Sequence, residues 1–502
     1  VWIDSVRIES RAAAKSAKVV VTLRNATGKP VRGEIVVAGS DARTAVEIAD
    51  AEQKVDITVA LGAQAKLWDE YEPNLQNLSL RLAAGEFRDE WRGVFGLREI
   101  GTKDRQFVLN SRPIFLRGTL ECNIFPLTGY PPMRVDGWAR LFRIARSYGL
   151  NHFRFHSWCP PEAAFEAADR AGFLLHVELP VWSNKVGIDP ALNEFMRAEA
   201  YRILQTYGNH PSFTMLALGN ELTGDYGFMD KLVAELKSAD STRLYTFTAD
   251  HRRRAEGPTS DYYVTHSTAN GPLRIHGSRF EKSTSGTDVD FSDKVRLFQT
   301  PLVAHELGQW VTYPDYAEIG KYTGVLKPRN LEAFRARLEE RGMLDQARQF
   351  QLASGRFAWL LYKEDIETAL RTPNFGGVQL LQLQDFPGQG EALIGLLDSF
   401  WETKGILKPA EMRGFFAETV TLARFEKHVW TNDQTFTARI QLAHYGKTGL
   451  RDAAVAWTLR DDAAATIASG KTPPARVNPG QVASLGEIRV ALSAVAKAAR
   501  LR

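Results

Sequence analysis

The chain has 502 residues, a length that predicts about two to four domains. Hydrophobic residues make up 44% and charged residues 24%, which excludes disordered, collagen-like and low-complexity classes. The formal net charge of +4 is small for this length, so we expect no nucleic-acid partner. No apolar run is long enough to span a bilayer, so we expect no membrane partner either.

Residues 1–98 are predicted to form an immunoglobulin-like β-sandwich. Short runs rich in β-branched residues recur at 19–23, 34–37, 55–59 and 78–82, and turn sequences such as 25–30 separate them. Short strands at this spacing are typical of a sandwich. Nothing in this region indicates catalysis, so we expect a scaffolding role.

Residues 99–428 alternate between short apolar strands and longer amphipathic stretches. Strands are predicted at 114–118, 152–156, 173–179, 213–221, 244–248, 262–265, 302–306 and 378–383, and helices at 137–148, 161–171 and 190–207. Repeated βα units that supply eight strands predict a (β/α)₈ TIM barrel. An open doubly wound sheet is the alternative, but no glycine-rich dinucleotide loop follows a strand.

Residues 429–502 return to β-like alternation, with strands predicted at 436–442, 453–459 and 487–492. We interpret this region as a second β-sandwich, and we expect it to be incomplete. The predicted architecture is therefore a central TIM barrel flanked by two immunoglobulin-like sandwiches.

Two carboxylates end strands of the predicted barrel. Asn220 and Glu221 end the fourth strand, and His305 and Glu306 end the seventh. The active site of a TIM barrel lies where its strands end, and glycoside hydrolysis needs one protonated and one ionised carboxyl group. Ion pairs at the barrel rim are the alternative for either glutamate alone. The presence of both glutamates at strand ends of one barrel favours a functional role.

Several motifs resemble those of glycoside hydrolase family 2. Residues 208–212 (GNHPS) followed by 218–221 (LGNE) are similar to the acid/base signature of that family, and 95–100 and 110–118 are similar to the start of its barrel. Residues 66–69 and 73–75 resemble the end of its central sandwich. The family belongs to clan A of retaining β-glycosidases and includes β-galactosidases, β-glucuronidases and β-mannosidases. The resemblance covers nearly the whole chain.

The resemblance implies roles for individual residues. Glu221 would be the general acid/base, Glu306 the nucleophile, and Asn220 would hold the 2-hydroxyl of the sugar. Arg154 could keep the nucleophile ionised or form a structural ion pair inside the barrel, and both alternatives remain open. His266 lies nearest to the place where many clan members have a tyrosine. The other predicted substrate-binding residues are His156, Trp182, Trp310 and Asp385.

Two stretches of the sequence bear on whether the substrate is acidic. Family glucuronidases carry an Asn-x-Lys pair that grips the sugar carboxylate, whereas the comparable stretch 401–405 (WETKG) has Glu402 in place of the asparagine. This difference argues against an ordinary glucuronidase. Residues 252–254 are three arginines in a loop that should face the active site, where they could bind a carboxylate or sulfate. A solvated basic patch is the alternative.

No metal or cofactor is expected. Residues 305–309 (HELGQ) superficially resemble a zinc-binding H-E-x-x-H helix, but the fifth residue is Gln309 and the segment has the pattern of a strand end. Cys122 and Cys159 follow neighbouring strands. We expect two free thiols, and a disulfide is the alternative.

The sequence therefore predicts an exo-acting retaining β-glycosidase that releases a terminal sugar from an oligo- or polysaccharide, β-galactosidase-like or acting on a related, even acidic, sugar. A non-catalytic carbohydrate-binding barrel is the alternative. The chain begins with Val1 and shows no leader, and the jelly-roll domain that the resemblance implies is absent, so we expect a piece of a longer protein. Because such enzymes are often exported, we expect a periplasmic or secreted rather than a cytoplasmic location.

Overall fold

The N-terminal region is a β-sandwich in the computed structural model, which describes residues 1–250, 259–274, 286–390 and 392–502. One sheet has the order β1-β2-β5 and the other β4-β3-β6-β7, and their inner faces share one core built around Val19, Val21 and Leu80. The strands are β1 (Trp2–Arg11), β2 (Ser16–Arg24), β3 (Val31–Val37), β4 (Arg43–Ile48), β5 (Glu52–Ala60), β6 (Leu75–Ala84) and β7 (Phe87–Gly96). The predicted sandwich is confirmed.

A small antiparallel sheet links the sandwich to the barrel. It consists of β8 (Ile100–Lys103), β9 (Gln106–Leu109) and β10 (Arg112–Ile114). Phe107 and Ile114 of this sheet share a buried cluster with Leu174, Met215 and Val303 from the barrel strands. The small sheet therefore packs against the interior of the barrel at its N-terminal end.

The central region is a parallel barrel, as predicted. Its eight described strands are β11 (Leu116–Glu121), β12 (His152–Phe155), β13 (Leu174–Glu178), β14 (Phe213–Ala217), β15 (Leu244–Thr246), β16 (Tyr263–Thr265), β19 (Leu302–Gly308) and β20 (Gly377–Leu381). The hairpin strands β17 (Ser267–Thr268) and β18 (Gly271–Pro272) follow β16. Ala249 bridges the opening between β15 and β16, because it pairs with Asn220 on one side and Val264 on the other.

Helices surround the barrel. They are α1 (Val135–Ser147), α2 (Glu162–Ala171), α3 (Pro190–Tyr207), α4 (Tyr226–Ala239), α5 (Ser292–Val295), α6 (Arg329–Glu340), α7 (Ala347–Leu370) and α8 (Pro409–Arg413). The apolar face predicted for the first helix is buried in α1, where Trp138 and Phe142 stack with ring centroids 6.0 Å apart. In the described part of the chain, no helix is long and apolar enough to cross a membrane.

The C-terminal region is again built of antiparallel sheets. Its strands are β21 (Thr419–Arg424), β22 (Thr435–His444), β23 (Leu450–Ala453), β24 (Ala456–Arg460), β25 (Thr466–Lys471), β26 (Ala475–Val477) and β27 (Gln481–Ala491). One sheet has the order β21-β22-β27, and the pairs β23-β26 and β24-β25 share its core. The division of the chain at 98/99 and 428/429 stays a prediction.

The GNHPS motif at 208–212 ties the first sandwich to the barrel. The side chain of Asn209 accepts a hydrogen bond from the backbone N–H of Ile8 (2.9 Å) and donates one to the carbonyl of Val6 (2.8 Å). Arg98, buried at the end of the sandwich, donates to the carbonyls of Pro211 (3.1 Å) and Phe213 (3.0 Å). The GNHPS motif thus holds the first sandwich against the barrel, next to the start of the fourth barrel strand.

His210 of the same motif lies between two carboxylates. Its Nδ1 is 2.6 Å from Asp169 Oδ2 and its Nε2 is 2.9 Å from Glu162 Oε1, while the ring stacks on Phe165. Burial alone would lower the pKa of His210, but the hydrogen bonds and charges of Asp169 and Glu162 raise it to about 9. His210 is therefore protonated in the folded protein at neutral pH.

This geometry predicts a pH-dependent contribution to stability. Because the folded-state pKa of His210 lies above its unfolded value, the contribution is fully present below about pH 6.5 and disappears as the pH rises through 9. We expect His210→Gln to lower the free energy of urea unfolding by up to about 3 kcal/mol at pH 6 and by much less at pH 9.5. Asp169→Asn should remove much of the same pH-dependent part. An equal loss at both pH values would contradict the assignment.

Candidate active site

Glu221 and Glu306 lie at the C-terminal end of the barrel with an unusual backbone conformation. Their φ angles are +48° and +47°, values that are uncommon for residues other than glycine. The backbone N–H of Glu221 bonds to the carbonyl of Ala249, and the register of β19 against β20 shifts between Ala304 and Leu307. Backbone of this kind often occurs at functional sites, because it aims a side chain away from the regular strand direction.

The two carboxylates lie in one cluster. One oxygen of Glu221, one oxygen of Glu306 and one ring nitrogen each of His266 and His305 all lie within 4.8 Å of one another. Glu306 is buried, whereas Glu221 is partly exposed. The structure thus brings together the two glutamates that the sequence placed on the fourth and seventh strands.

Donor groups surround the carboxylate of Glu306. Oε1 lies 3.1 Å from His305 Nε2 and 3.7 Å from His156 Nε2. Oε2 lies 3.5 Å from His266 Nε2 and 3.9 Å from Arg274 NH2, and it accepts a hydrogen bond from Gln309 Nε2 at 3.3 Å. Burial alone would raise the pKa of Glu306, but His305, Arg154 and His156 together lower it to about 2. Glu306 is therefore ionised at neutral pH.

Arg154, with no exposed surface, links the elements of the site. Its Nε donates to Glu178 Oε1 (2.7 Å), its NH1 contacts His305 Nδ1 (3.0 Å), and its NH2 donates to Asn220 Oδ1 (2.6 Å). Burial works to lower the pKa of Arg154, but the charges of Glu178 and Glu306 raise it. Arg154 thus forms a buried ion pair with Glu178 and also lowers the pKa of Glu306.

The contact with Arg154 fixes the tautomer of His305. A guanidinium can only donate, so Nδ1 of His305 must accept and the ring proton of the neutral form lies on Nε2. Burial lowers the pKa of His305 to about 4, so the neutral form prevails at pH 7. The Nε2 proton is therefore on the side of Glu306 Oε1.

The same argument fixes the amide of Asn220. Because NH2 of Arg154 donates, the atom that it meets must be the amide oxygen. The amide nitrogen of Asn220 is buried and has no hydrogen-bond partner among the described residues. A buried polar group without a partner costs about 1–3 kcal/mol, so a bound ligand that accepts this N–H gains by pairing it.

His266 follows β16 and is oriented by Asp250. Its Nδ1 lies 2.7 Å from Asp250 Oδ2, and its backbone N–H bonds to Asp250 Oδ1 (2.9 Å). Thr265 Oγ1 donates to the same Oδ1 at 3.1 Å. The ring nitrogen on the other side faces Glu306.

The remaining predicted residues lie in different places. Trp182 packs edge-to-face on His156 (5.6 Å between centroids) and is 62% exposed, so it lies at the mouth of the site. Trp310 instead donates its indole N–H to Asp365 of α7 at 2.9 Å. Asp385 accepts hydrogen bonds from Lys404 Nζ (2.6 Å) and the backbone N–H of Gly395 (2.9 Å).

The stretch 401–405 is held by internal contacts. Besides Asp385, Lys404 Nζ donates to Thr312 Oγ1 (3.1 Å) and the carbonyl of Gly395 (3.0 Å), so its three N–H groups are all used. Glu402 pairs with Lys321 at 2.8 Å. The arginines at 252–254 lie outside the described residues.

The cluster of Glu221, His266, His305 and Glu306 has the composition of a metal site. However, the proton of His305 lies on Nε2, the nitrogen next to Glu306, and the Arg274 guanidinium lies 3.9 Å from the same carboxylate. These donors do not suit a cation. The absence of a required metal stays a prediction. Cys122 and Cys159 are free thiols, as predicted.

Five residues of the site were given no role from the sequence: Glu178, Asp250, Arg274, His305 and Gln309. Glu178 ends β13, and Asp250 follows β15. The rule that identified the two glutamates, a carboxylate at a strand end, could therefore have found both. Arg274 and Gln309 lie in loops, where the sequence offers no comparable signal.

Comparison with known proteins agrees with this architecture. The model of a family described as "Glycosyl hydrolases family 2" matches residues 1–98, and that of "Glycosyl hydrolases family 2, TIM barrel domain" matches 100–309. Residues 434–502 match a "Domain of unknown function (DUF8488)".

Curated relatives share about a quarter of their residues with the chain. A β-glucuronidase from Canis lupus familiaris is 25% identical over 46% of this chain and 36% of its own length. A β-galactosidase from Thermoanaerobacterium thermosulfurigenes is 26% identical over 42% of this chain and 29% of its own length. The matches thus span about a third of these relatives.

A solved structure shares the fold. The family 2 β-galacturonidase from Eisenbergiella tayi bound to glycerol matches with a TM-score of 0.63 and 15% identity, over 86% of this chain and 73% of that one.

The buried ion pair predicts a large stability effect. Glu178→Gln leaves the Arg154 guanidinium buried without its full counter-charge, so we expect the free energy of unfolding to fall by about 3–5 kcal/mol. Glu235→Gln, which breaks the exposed pair with Arg197, is the control and should cost at most about 1 kcal/mol. Urea unfolding of the three proteins measures the difference. Equal losses in both variants would show that Arg154 does not depend on Glu178.

Proposed function

Because the chain belongs to glycosyl hydrolase family 2, we propose that it is an exo-acting retaining β-glycosidase with Glu306 as nucleophile and Glu221 as general acid/base. One observation carries the proposal: an oxygen of each carboxylate lies within 4.8 Å of the other, at the C-terminal end of one barrel. Retaining enzymes place the two carboxyl groups about 5–5.5 Å apart, and inverting enzymes about 6.5–9.5 Å apart. An oxygen pair this close is compatible with the shorter spacing of a retaining enzyme, and double displacement is the mechanism that we propose.

The environment of Glu306 fits its proposed role in the first step, and Glu221 takes the complementary role. Glu306, with its pKa lowered to about 2, is ionised and attacks the anomeric carbon. Glu221, which is partly exposed, donates its proton to the glycosidic oxygen as the bond to the leaving group breaks. In the second step Glu221 takes a proton from water, and the water oxygen displaces Glu306 from the sugar.

Asn220 supports transition-state binding in this scheme. Its amide nitrogen is buried and unpaired, next to Glu221 in the chain. A sugar hydroxyl at C2 would accept this N–H, which leaves the proton of the hydroxyl free to donate to a carboxylate oxygen, and that bond strengthens as positive charge develops on the sugar ring. Arg154 holds the amide in the required orientation, since it occupies the amide oxygen.

Trp182 and His156 supply a wall for the substrate. His156 contacts Glu306 at 3.7 Å, and the indole of Trp182 lies edge-to-face beyond it with most of its surface exposed. An exposed aromatic side chain at the mouth of a site is suited to stack on a sugar ring. We assign Trp182 to the sugar that follows the scissile bond.

We further propose that the released sugar is neutral and β-galactoside-like. Lys404 is the one cation in residues 401–405, the stretch comparable with the Asn-x-Lys pair of glucuronidases. Its three N–H groups donate to Asp385, Thr312 and the carbonyl of Gly395. Glu402, which stands where glucuronidases have asparagine, lacks the amide N–H that an asparagine can donate to a carboxylate. Both features disfavour a uronide.

The roles of the two glutamates are tested by substitution. With an aryl β-glycoside, Glu306→Gln should reduce turnover below detection, because an amide cannot form the glycosyl ester. Glu221→Gln should lower kcat by about 10²–10⁴-fold, the range of general acid/base catalysis. Glu166→Gln, which breaks the exposed pair with Arg170 on α2, is the control and should keep its turnover. Substantial activity in Glu306→Gln would refute the nucleophile assignment.

The sugar is tested with a panel of aryl β-glycosides. We expect kcat/KM for the galactoside to exceed that for the glucuronide and galacturonide, because Lys404 is not available to a carboxylate. Initial rates at matched concentrations measure the ratio. A preference for either uronide would contradict the assignment of a neutral sugar.

A further inference from the structure

Two histidine rings flank the carboxylate of Glu306, one at each oxygen. His305 Nε2 lies 3.1 Å from Oε1, and His266 Nε2 lies 3.5 Å from Oε2. The ring centroids of the two histidines are 4.2 Å apart, and the planes are nearly perpendicular at 73°. The rings reach Glu306 from different strands, because His305 belongs to β19 and His266 follows β16.

The other nitrogens of the two rings face partners of opposite kind. His305 Nδ1 meets NH1 of Arg154, which can only donate, at 3.0 Å. His266 Nδ1 meets Oδ2 of Asp250, which as a carboxylate can only accept, at 2.7 Å. His305 must therefore accept at Nδ1, whereas His266 must carry a proton there.

This difference sets the proton count of His266. In a neutral His266 with its proton on Nδ1, the lone pair of Nε2 would point toward Oε2 of Glu306, and acceptor would face acceptor. In the imidazolium, both nitrogens donate to a carboxylate. We propose that His266 is an imidazolium held between Asp250 and Glu306, that Asp250 positions it, and that its proton assists the release of Glu306 from the sugar.

The charges around His266 among the described residues favour this form. Two carboxylates approach the ring, Asp250 at 2.7 Å and Glu306 at 3.5 Å, and Glu221, which shares the 4.8 Å cluster, becomes a third once it has given up its proton in the first step. The opposing charges are the guanidinium of Arg274, 3.9 Å from Glu306 Oε2, and that of Arg154, 3.0 Å from His305 Nδ1. His305 itself is neutral at pH 7, because burial lowers its pKa to about 4. The two carboxylates lie against the ring of His266 itself, and because nearby negative charge stabilises a cation they favour the protonated ring.

The inference deepens the proposed function and rests on it, because the proton acts in the second step. There the bond between the anomeric carbon and a Glu306 oxygen breaks, and its electron pair returns to the carboxylate. The water oxygen forms the new bond to that carbon, and Glu221 takes the water proton. The returning negative charge is shared by both oxygens of Glu306, so an N–H at Oε2 stabilises it.

The charge of His266 can be measured without turnover. In protein with ¹³Cε1-labelled histidine, NMR titration follows each ring, and His266→Gln identifies the resonance. We expect His266 to be protonated at pH 7, and we expect Asp250→Asn to move its midpoint down by about one to three pH units. A wild-type His266 that is neutral at pH 6, or a midpoint that Asp250→Asn leaves in place, would overturn the proposal.

The pH profile of kcat tests the role of the proton, measured at saturating 2,4-dinitrophenyl β-glycoside, whose good leaving group makes the second step rate-limiting. The alkaline limb of kcat should move to lower pH in Asp250→Asn, in the same direction as the NMR midpoint. Asp169→Asn, which removes the carboxylate next to His210 outside the site, is the control and should leave the limb in place. A limb that stays fixed while the NMR midpoint moves would refute the catalytic role. If the wild-type protein hydrolyses no glycoside, the proposed function fails, and the NMR titration alone still decides the charge of His266.

Discussion

The site depends on a single buried cation. Arg154 lies inside the barrel with no exposed surface, and a guanidinium there is costly unless it is paired and its N–H groups are used. Glu178 supplies the counter-charge, and the remaining contacts go to His305 and Asn220. Because Arg154 can only donate, each partner is forced to accept, and this one constraint decides how the neighbouring groups present their protons.

Its consequences extend across the barrel. The amide of Asn220 turns its N–H group away from Arg154, beside Glu221, and His305 carries its proton on the nitrogen nearest Glu306. The groups that hold the two glutamates are thereby linked through one guanidinium, although their strands are not adjacent. Asp250 instead accepts a hydrogen bond from Nδ1 of His266. One oxygen of Glu306 therefore faces the neutral ring of His305, and the other faces the proposed imidazolium of His266.

The fold could be predicted from the sequence to a large extent. Alternation of apolar and polar residues is a local property, and it located the barrel strands, the buried face of α1 and the full extent of α3. The same reasoning missed β1, β4 and β7 of the first sandwich, whose residues at 2–11, 43–48 and 87–96 are mostly polar or exposed on one face. Their place in the sheets is set by pairing with distant strands.

The sequence by itself determined the fold class and the candidate pair Glu221 and Glu306, because strand ends can be recognised locally and parallel strands end at one face. Only the tertiary structure decided which groups surround that pair. Lys404 binds Asp385, and Trp310 donates its indole N–H to Asp365. Such contacts join residues far apart in the chain, and their distances and donor geometry exist only once the barrel has closed.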